Sequence, residues 1–251
     1  MPSEKVTFQS HEGASLVGNI ELPEGTPKAY GLFAHCFTCT KNIKATIKIA
    51  RALCNLGIAV LRFDFTGLGE SEGDFADTNF SSNVEDLVAA SKFLETTYQA
   101  PTILIGHSLG GTAVLHASQH IPSTKALVTI AAPSNPAHIT NMIKSKQEDI
   151  ENNGEADVLL AGRPFKIKKQ FLDDLSSDKV QSSLKKLKTP ILIFHSPIDN
   201  TVGIENAAEL FQLAQHPKSF ISLDKADHLL TNPEDSEYVA QIISTWAHKY
   251  I

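Results

Sequence analysis

Long apolar runs are missing from this chain. No stretch approaches the roughly 20 consecutive apolar residues that a bilayer-spanning helix requires. The opening Met1-Pro2-Ser3-Glu4-Lys5 also lacks the basic segment and following apolar stretch of a secretory signal. The expectation is a cytoplasmic protein with no membrane span. An excess of basic residues is missing too: 22 Lys and Arg stand against 28 Asp and Glu, a formal net charge of −6. A net acidic surface attracts neither nucleic acid nor anionic lipid, so a small or neutral substrate suits it better. Cysteine is scarce and odd in number, at Cys36, Cys39 and Cys54, which speaks against a disulfide framework holding the fold. Internal repeats and low-complexity tracts are absent as well.

What is present is an ordinary globular composition. At 251 residues and 42% hydrophobic content the chain can bury one large core. Continuous apolar runs recur at Tyr30–Ala34, Ile58–Phe63, Thr102–Ile105, Ala126–Ile130 and Ile191–Phe194. Such runs suit parallel strands covered on both faces, because a half-exposed strand would alternate. Helical patterns lie between them. Ile43, Ile47, Ala50 and Cys54 share a face ahead of Gly57, and Val84, Leu87, Val88 and Ser91 share another behind Ser82-Asn-Val-Glu85, a capping-box pattern. A last helix begins after Asn232 with Pro233 at its first position and carries Val239, Ile242, Ile243 and Trp246 inward. This alternation predicts an α/β, doubly wound sheet preceded by an antiparallel pair, Val6–Gln9 and Ser15–Glu21. It fails over residues 135–188, where charge is dense but apolar residues are too many for a linker. That segment reads as a small, mostly helical cap inserted into a core formed by residues 1–134 and 189–251.

The strongest motif is Gly106-His107-Ser108-Leu109-Gly110, a Gly-x-Ser-x-Gly between a buried strand and a helical pattern. A serine on a sharp strand-to-helix turn has a strained backbone, and glycine at the flanking positions avoids collisions. The following helix aims its positive end where negative charge would develop. Phosphate binding fits less well. Gly106-x-x-x-x-Gly111-Thr112 has no lysine before Thr112, and the third glycine after Gly67-Leu-Gly69 falls one place late for a dinucleotide fingerprint.

A serine nucleophile needs a base and an orienting acid, in the order Ser, Asp, His on this kind of sheet. Asp199 follows the Ile191–Phe194 strand and His228 follows the strand-like Phe220–Leu223, so all three emerge at one sheet edge. Asp227 and Asp224 lie nearer His228 in sequence, but an adjacent acid folds back poorly onto the ring, and bracing of the loop suits them better. His35, His107 and His195 each end a strand; with no accompanying ligand motif they read as loop braces rather than a metal site. No metal and no cofactor is implied.

These residues resemble the α/β-hydrolase superfamily. The strings AHCFTCTKNI, LRFDFTGLGESEG, NFSSNVEDLVAA, LIGHSLGGTAVLHA, AGRPF and HPKSFISLDKADHLL are together similar to the hydrolase half of bacterial proteins that fuse such a domain to an OsmC-type peroxide reductase. The sequence stops at Ile251, where that second portion would begin, so peroxide reduction does not carry over. The resemblance implies an α/β-hydrolase fold with about eight mostly parallel strands. It also implies a carboxylesterase-like serine hydrolase (class 3.1.1) acting on short to medium acyl esters through Ser108, His228 and Asp199. His35-Cys36-Phe37 occupies the place where relatives carry His-Gly-Phe, which assigns the Phe37 and Leu109 backbone N–H groups to an oxyanion hole. Cys36 is then a small buried filler and Cys39 a neighbour of the site, with a redox pair as the alternative. Phe37, Phe165 and Phe171 are candidate substrate lining, set against simple packing. Arg163, Lys166, Lys168 and Lys169 read as a solvated face rather than a carboxylate or CoA site. The expected partner is a small-molecule ester; a homodimer, a thioesterase or peptidase activity, and a non-catalytic scaffold for an OsmC-type protein stay open.

Overall fold

The computed structural model describes residues 3–160, 162–175, 184–185 and 187–251. Eight strands form one sheet in the order β1-β2-β4-β3-β5-β6-β9-β10. β1 (Ser3–Gln9) and β2 (Ser15–Glu21) run antiparallel, and β2 is antiparallel to β4 (Ile58–Phe63). From there β3 (Ala29–Ala34), β5 (Ile103–His107), β6 (Ala126–Ile130), β9 (Ile191–His195) and β10 (Lys218–Ser222) are all parallel.

The continuous apolar runs are explained by two cores. Along β4, Ala59, Leu61 and Phe63 enter one cluster while Ile58 and Val60 enter the other, and β5 divides in the same way. One face is covered by α1 (Lys44–Asn55) and the C-terminal helix Pro233–Ala247; the other by α2 (Phe80–Thr97), α3 (Leu109–Ala117) and the helix Glu205–Leu213. Both faces being apolar is the condition under which period-2 alternation disappears from a sequence.

The order in which the chain adds strands across the sheet reverses at β3. β4 lies to one side of it and β5 to the other, so the loops leaving β3 and β5 part over a crevice at the carboxyl edge, the place where open α/β sheets bind ligands. Register keeps that edge level: Ala34 lies opposite Gly106, His107 opposite Ile130, and His195 opposite Ser222.

Between β6 and β9 the chain leaves the sheet. The short helices Thr140–Ile143, Gln147–Asn153 and Lys169–Leu175 are joined there by a hairpin that the sequence reading did not anticipate, β7 (Glu155–Leu160) against β8 (Arg163–Lys168). Residues 161, 176–183 and 186 of the expected cap lie outside the described residues. The start of α2 also differs. Asn79 caps it by accepting from the Ser82 N–H, while the Ser82 hydroxyl accepts from the Asn79 N–H, so the box closes three residues earlier than the Ser82-to-Glu85 pattern suggests.

Candidate active site

β5 ends directly in the turn that presents Ser108. Its φ of +54° and ψ of −129° are tolerated by a residue with a side chain only where the surroundings enforce them. Close packing does so. A Cβ on Gly106 would lie 2.2 Å from the Gly110 carbonyl oxygen, and one on Gly110 would lie 2.4 Å from the His35 carbonyl oxygen. Strand, helix and the β3 loop therefore approach too closely for any side chain at those two positions. The Ser108 N–H donates to the Ile130 carbonyl at 2.8 Å, tying the turn to β6.

The loop after β10 brings His228 to this turn from 120 residues away, with Nε2 3.0 Å from the Ser108 Oγ. Its Nδ1 lies 2.7 Å from the Asp199 Oδ2 in the loop after β9. With the carboxylate accepting the Nδ1 proton, Nε2 carries the lone pair and accepts from the serine hydroxyl. Asp199 is held for this role: its Oδ1 accepts the Thr201 and Val202 N–H groups at 2.8 and 2.9 Å. Burial by itself would raise its pKa. The hydrogen bond from His228 and the two amides outweigh that effect, and the carboxyl ends below its ordinary range. The competing acids lie elsewhere in the loop's own bonding: Asp227 accepts the Thr231 N–H at 2.9 Å and Asp224 accepts the Ser222 hydroxyl at 2.6 Å.

The three strand-ending histidines each grip one loop of this site. His35 Nδ1 donates to the Cys36 carbonyl at 2.8 Å, His107 Nε2 to the His228 carbonyl at 2.7 Å, and His195 Nε2 to the Val202 carbonyl at 2.8 Å. Burial lowers the pKa of all three, His107 to about 4, so they work as neutral donors. Among the described residues no group of three or more His, Cys, Asp or Glu side chains is placed to hold a metal ion.

The β3 loop requires a correction. Cys36 and Cys39 are not a buried filler and a separate neighbour: they are bridged, with an S–S distance of 2.04 Å. The physical reason is Thr38, whose φ of +58° turns the chain back so that the two Cα atoms come within 5.3 Å, inside disulfide reach. Nothing in residue type announces a left-handed threonine. Within the turn, the Phe37 N–H has no internal hydrogen-bond acceptor among the described residues, and neither does that of Leu109, the first residue of α3. A small cavity bounded by Phe37, Thr38, Phe75 and Leu109 has room for about one water molecule.

The candidate lining residues join an aromatic row between the sheet edge and the insertion. Phe171 lies 5.4 Å from Phe37, Phe37 5.7 Å from Phe75, and Phe75 4.9 Å from Phe165, ring centre to ring centre. Phe171 is only 2% exposed and packs as core, whereas Phe37 and Phe165 are half-buried. The basic run lies on a solvated face, and its lysines also carry surface ion pairs. Lys166 pairs with Glu155, Lys168 with Asp77 and Lys169 with Asp173, while Arg163 donates to the Thr38 carbonyl and lies over the Phe165 ring. The insertion thus touches the β3 loop through Arg163, a contact that the density of charge alone did not reveal.

Known proteins resemble this chain in sequence and fold. Residues 26–147 match a hydrolase family described as serine aminopeptidase, S33. The crystal structure of the esterase domain from a Rhodothermus marinus protein is 48% identical, covers 100% of this chain and 99% of its own, and superposes with a TM-score of 0.81. Human monoglyceride lipase is 24% identical across 89% of this chain and 84% of its own length. The mitochondrial palmitoyl-protein thioesterase ABHD10 of Rattus norvegicus is 24% identical across 81% of this chain and 70% of its own.

Proposed function

This chain belongs to the α/β-hydrolase superfamily of serine hydrolases, and from that premise we propose that it cleaves carboxylic esters of short to medium acyl chains with Ser108 as nucleophile. The observation that carries the reading is the unbroken hydrogen-bonded series Asp199, His228, Ser108 beside two backbone donors that no internal acceptor among the described residues satisfies.

In the proposed cycle, Ser108 Oγ attacks the ester carbonyl as its proton passes to His228 Nε2. Asp199 stabilises the resulting imidazolium and fixes its tautomer. The oxyanion of the tetrahedral intermediate accepts from the Phe37 and Leu109 N–H groups; removing one such donor typically costs ~10²–10³ in rate. His228 then protonates the departing alcohol, leaving an acyl-enzyme, and activates water for the second half. The acyl group lies against Phe37, with Phe165 and Phe171 of the insertion behind it, so the one-water cavity must widen for any chain beyond the smallest. A thioester would acylate Ser108 by the same steps, and similarity to a palmitoyl-protein thioesterase makes acyl-thioesters the second substrate class to assay.

The test is Ser108→Ala against a chromogenic short-chain ester, together with labelling by a fluorophosphonate. Turnover should fall by about 10³-fold or more and the adduct should map to Ser108. Full turnover by the alanine variant would overturn the reading.

A further inference from the structure

We propose that the Cys36-Phe37-Thr38-Cys39 turn is a redox-modifiable site, whose bridge is opened by a dithiol and closed by a disulfide oxidant, and whose state decides whether the Phe37 amide is held at the active site. This rests on the assignment of the Phe37 N–H as an oxyanion donor and adds to it the two sulfurs that control that donor.

The bridge encloses the donor itself, since Phe37 lies inside the ring that the two sulfurs close. Two contacts anchor the loop independently of the sulfurs. His35 grips the Cys36 carbonyl at 2.8 Å, and the Lys41 N–H donates to the Asp64 Oδ1 at 2.7 Å. Between these anchors, among the described residues, the backbone keeps the Cys39 N–H to Cys36 carbonyl bond at 3.1 Å, the Arg163 contact to the Thr38 carbonyl and the Ile43 N–H to Thr40 carbonyl bond at 3.3 Å, and none of these holds the Phe37 N–H. Thr38 is β-branched and sits at φ +58°, a conformation disfavoured unless the surroundings impose it. With both ends of the loop fixed, relaxation of Thr38 on opening must be taken up by the peptides around Phe37. A bridge closing so short a loop removes little entropy from the unfolded chain compared with one that spans a domain. Its consequence is therefore local geometry rather than global stability.

Access is asymmetric. Cys36 is 5% exposed, whereas Cys39 is half-buried, so an incoming thiolate meets the Cys39 sulfur first. Its attack forms a mixed disulfide at Cys39 and expels Cys36 as a thiolate, which takes a proton from water. The second thiol of the reagent then attacks its own bridged sulfur, closing the reagent's disulfide and releasing Cys39 as a thiol. Two electrons and two protons pass from the dithiol to the protein, and an oxidised dithiol reverses the exchange. Cys54 lies in α1, outside the bridge.

The experiment uses the full chain incubated with dithiothreitol or with its oxidised cyclic form. Thiols are counted after denaturation, and kcat and KM are measured on a chromogenic short-chain ester. One thiol should titrate in the oxidised form and three in the reduced form. The reduced form should show kcat lowered by about 10–10²-fold with KM changed by less than about twofold, and reoxidation should restore it. The double variant Cys36→Ser/Cys39→Ser should run at the reduced rate and ignore both reagents. Three thiols that never fall to one under the oxidant, a reduced form at full kcat, or a double variant at the oxidised rate would each overturn the proposal. Ser108→Ala separates the two readings. Turnover that does not need Ser108 sinks the hydrolase assignment and this inference with it, whereas Ser108-dependent turnover indifferent to sulfur state sinks this inference alone.

Discussion

Replacing His107 by phenylalanine keeps a ring in a site that is 3% exposed and removes the donor that holds the His228 carbonyl at 2.7 Å. Two magnitudes follow. Freeing the loop lets the imidazole drift from its 3.0 Å contact with the Ser108 Oγ, and a displacement of an ångström at such a contact costs up to about 10²-fold. We therefore expect kcat to fall by about 10–10²-fold while KM moves less than about threefold. At pH 7.5 the lost hydrogen bond should cost about 1–2 kcal/mol of stability. The pH dependence then tests the assignment of a neutral donor. Burial holds the folded-state pKa of His107 at about 4, below the 6.5 of the unfolded chain, so its contribution is intact above pH 6.5 and is lost as pH falls toward 4. Over that window the wild type should lose about 3 kcal/mol that the variant, having nothing to titrate there, keeps. The order of stability should reverse: wild type ahead at pH 7.5, variant ahead at pH 4. Urea denaturation at the two pH values and steady-state kinetics provide the readouts, and His107→Gln, which restores a donor, should recover kcat to within a few fold. Wild-type kcat in the phenylalanine variant, or a stability gap that ignores pH, would refute the reasoning.

Asp199→Asn should preserve the fold and lower kcat by about 10³–10⁴-fold, because an amide N–H facing Nδ1 forces the proton onto Nε2, where the serine's own proton must go; an unchanged rate in the same ester assay counts against the assignment. Asp86, on α2, accepts the Thr66 N–H and hydroxyl at 2.9 and 3.0 Å, and burial pushes its pKa up to about 6. Raised above its unfolded value of 3.8, this group favours the folded state below pH 4 and loses that contribution as pH climbs through 6. Asp86→Asn should accordingly be more stable than wild type at pH 7.5 by up to about 3 kcal/mol, with the gap closing by pH 4; a difference constant in pH, measured by urea denaturation, contradicts this.

Much of the architecture was legible because burial on both faces leaves a mark in composition. The runs at Ile58–Phe63 and Ala126–Ile130 coincide with β4 and β6 residue for residue, and Asn232-Pro233 opens the last helix as its capping chemistry requires. The contact of Ser108 and Asp199 with His228 was also readable, since strands that run parallel send the loops that follow them to the same edge. Where reading failed, geometry was set by neighbours rather than by residue type. The hairpin Glu155–Leu160 with Arg163–Lys168 hid behind charges whose partners are spatial: Lys166 meets Glu155 across the two strands, and Lys168 meets Asp77 of the core. The Cys36–Cys39 bridge hid behind Thr38, a residue whose intrinsic preference argues against the very turn that it makes.

Lys41 adds a last property to the loop that leaves β3. Its side chain has no exposure to solvent, and its ammonium pairs with Asp64, equally hidden, and with Glu70 at 2.6 Å. Dissolved ions screen charges that water surrounds, and they do little to a pair from which water is excluded. The far anchor of this loop therefore keeps its grip in brine as in dilute buffer.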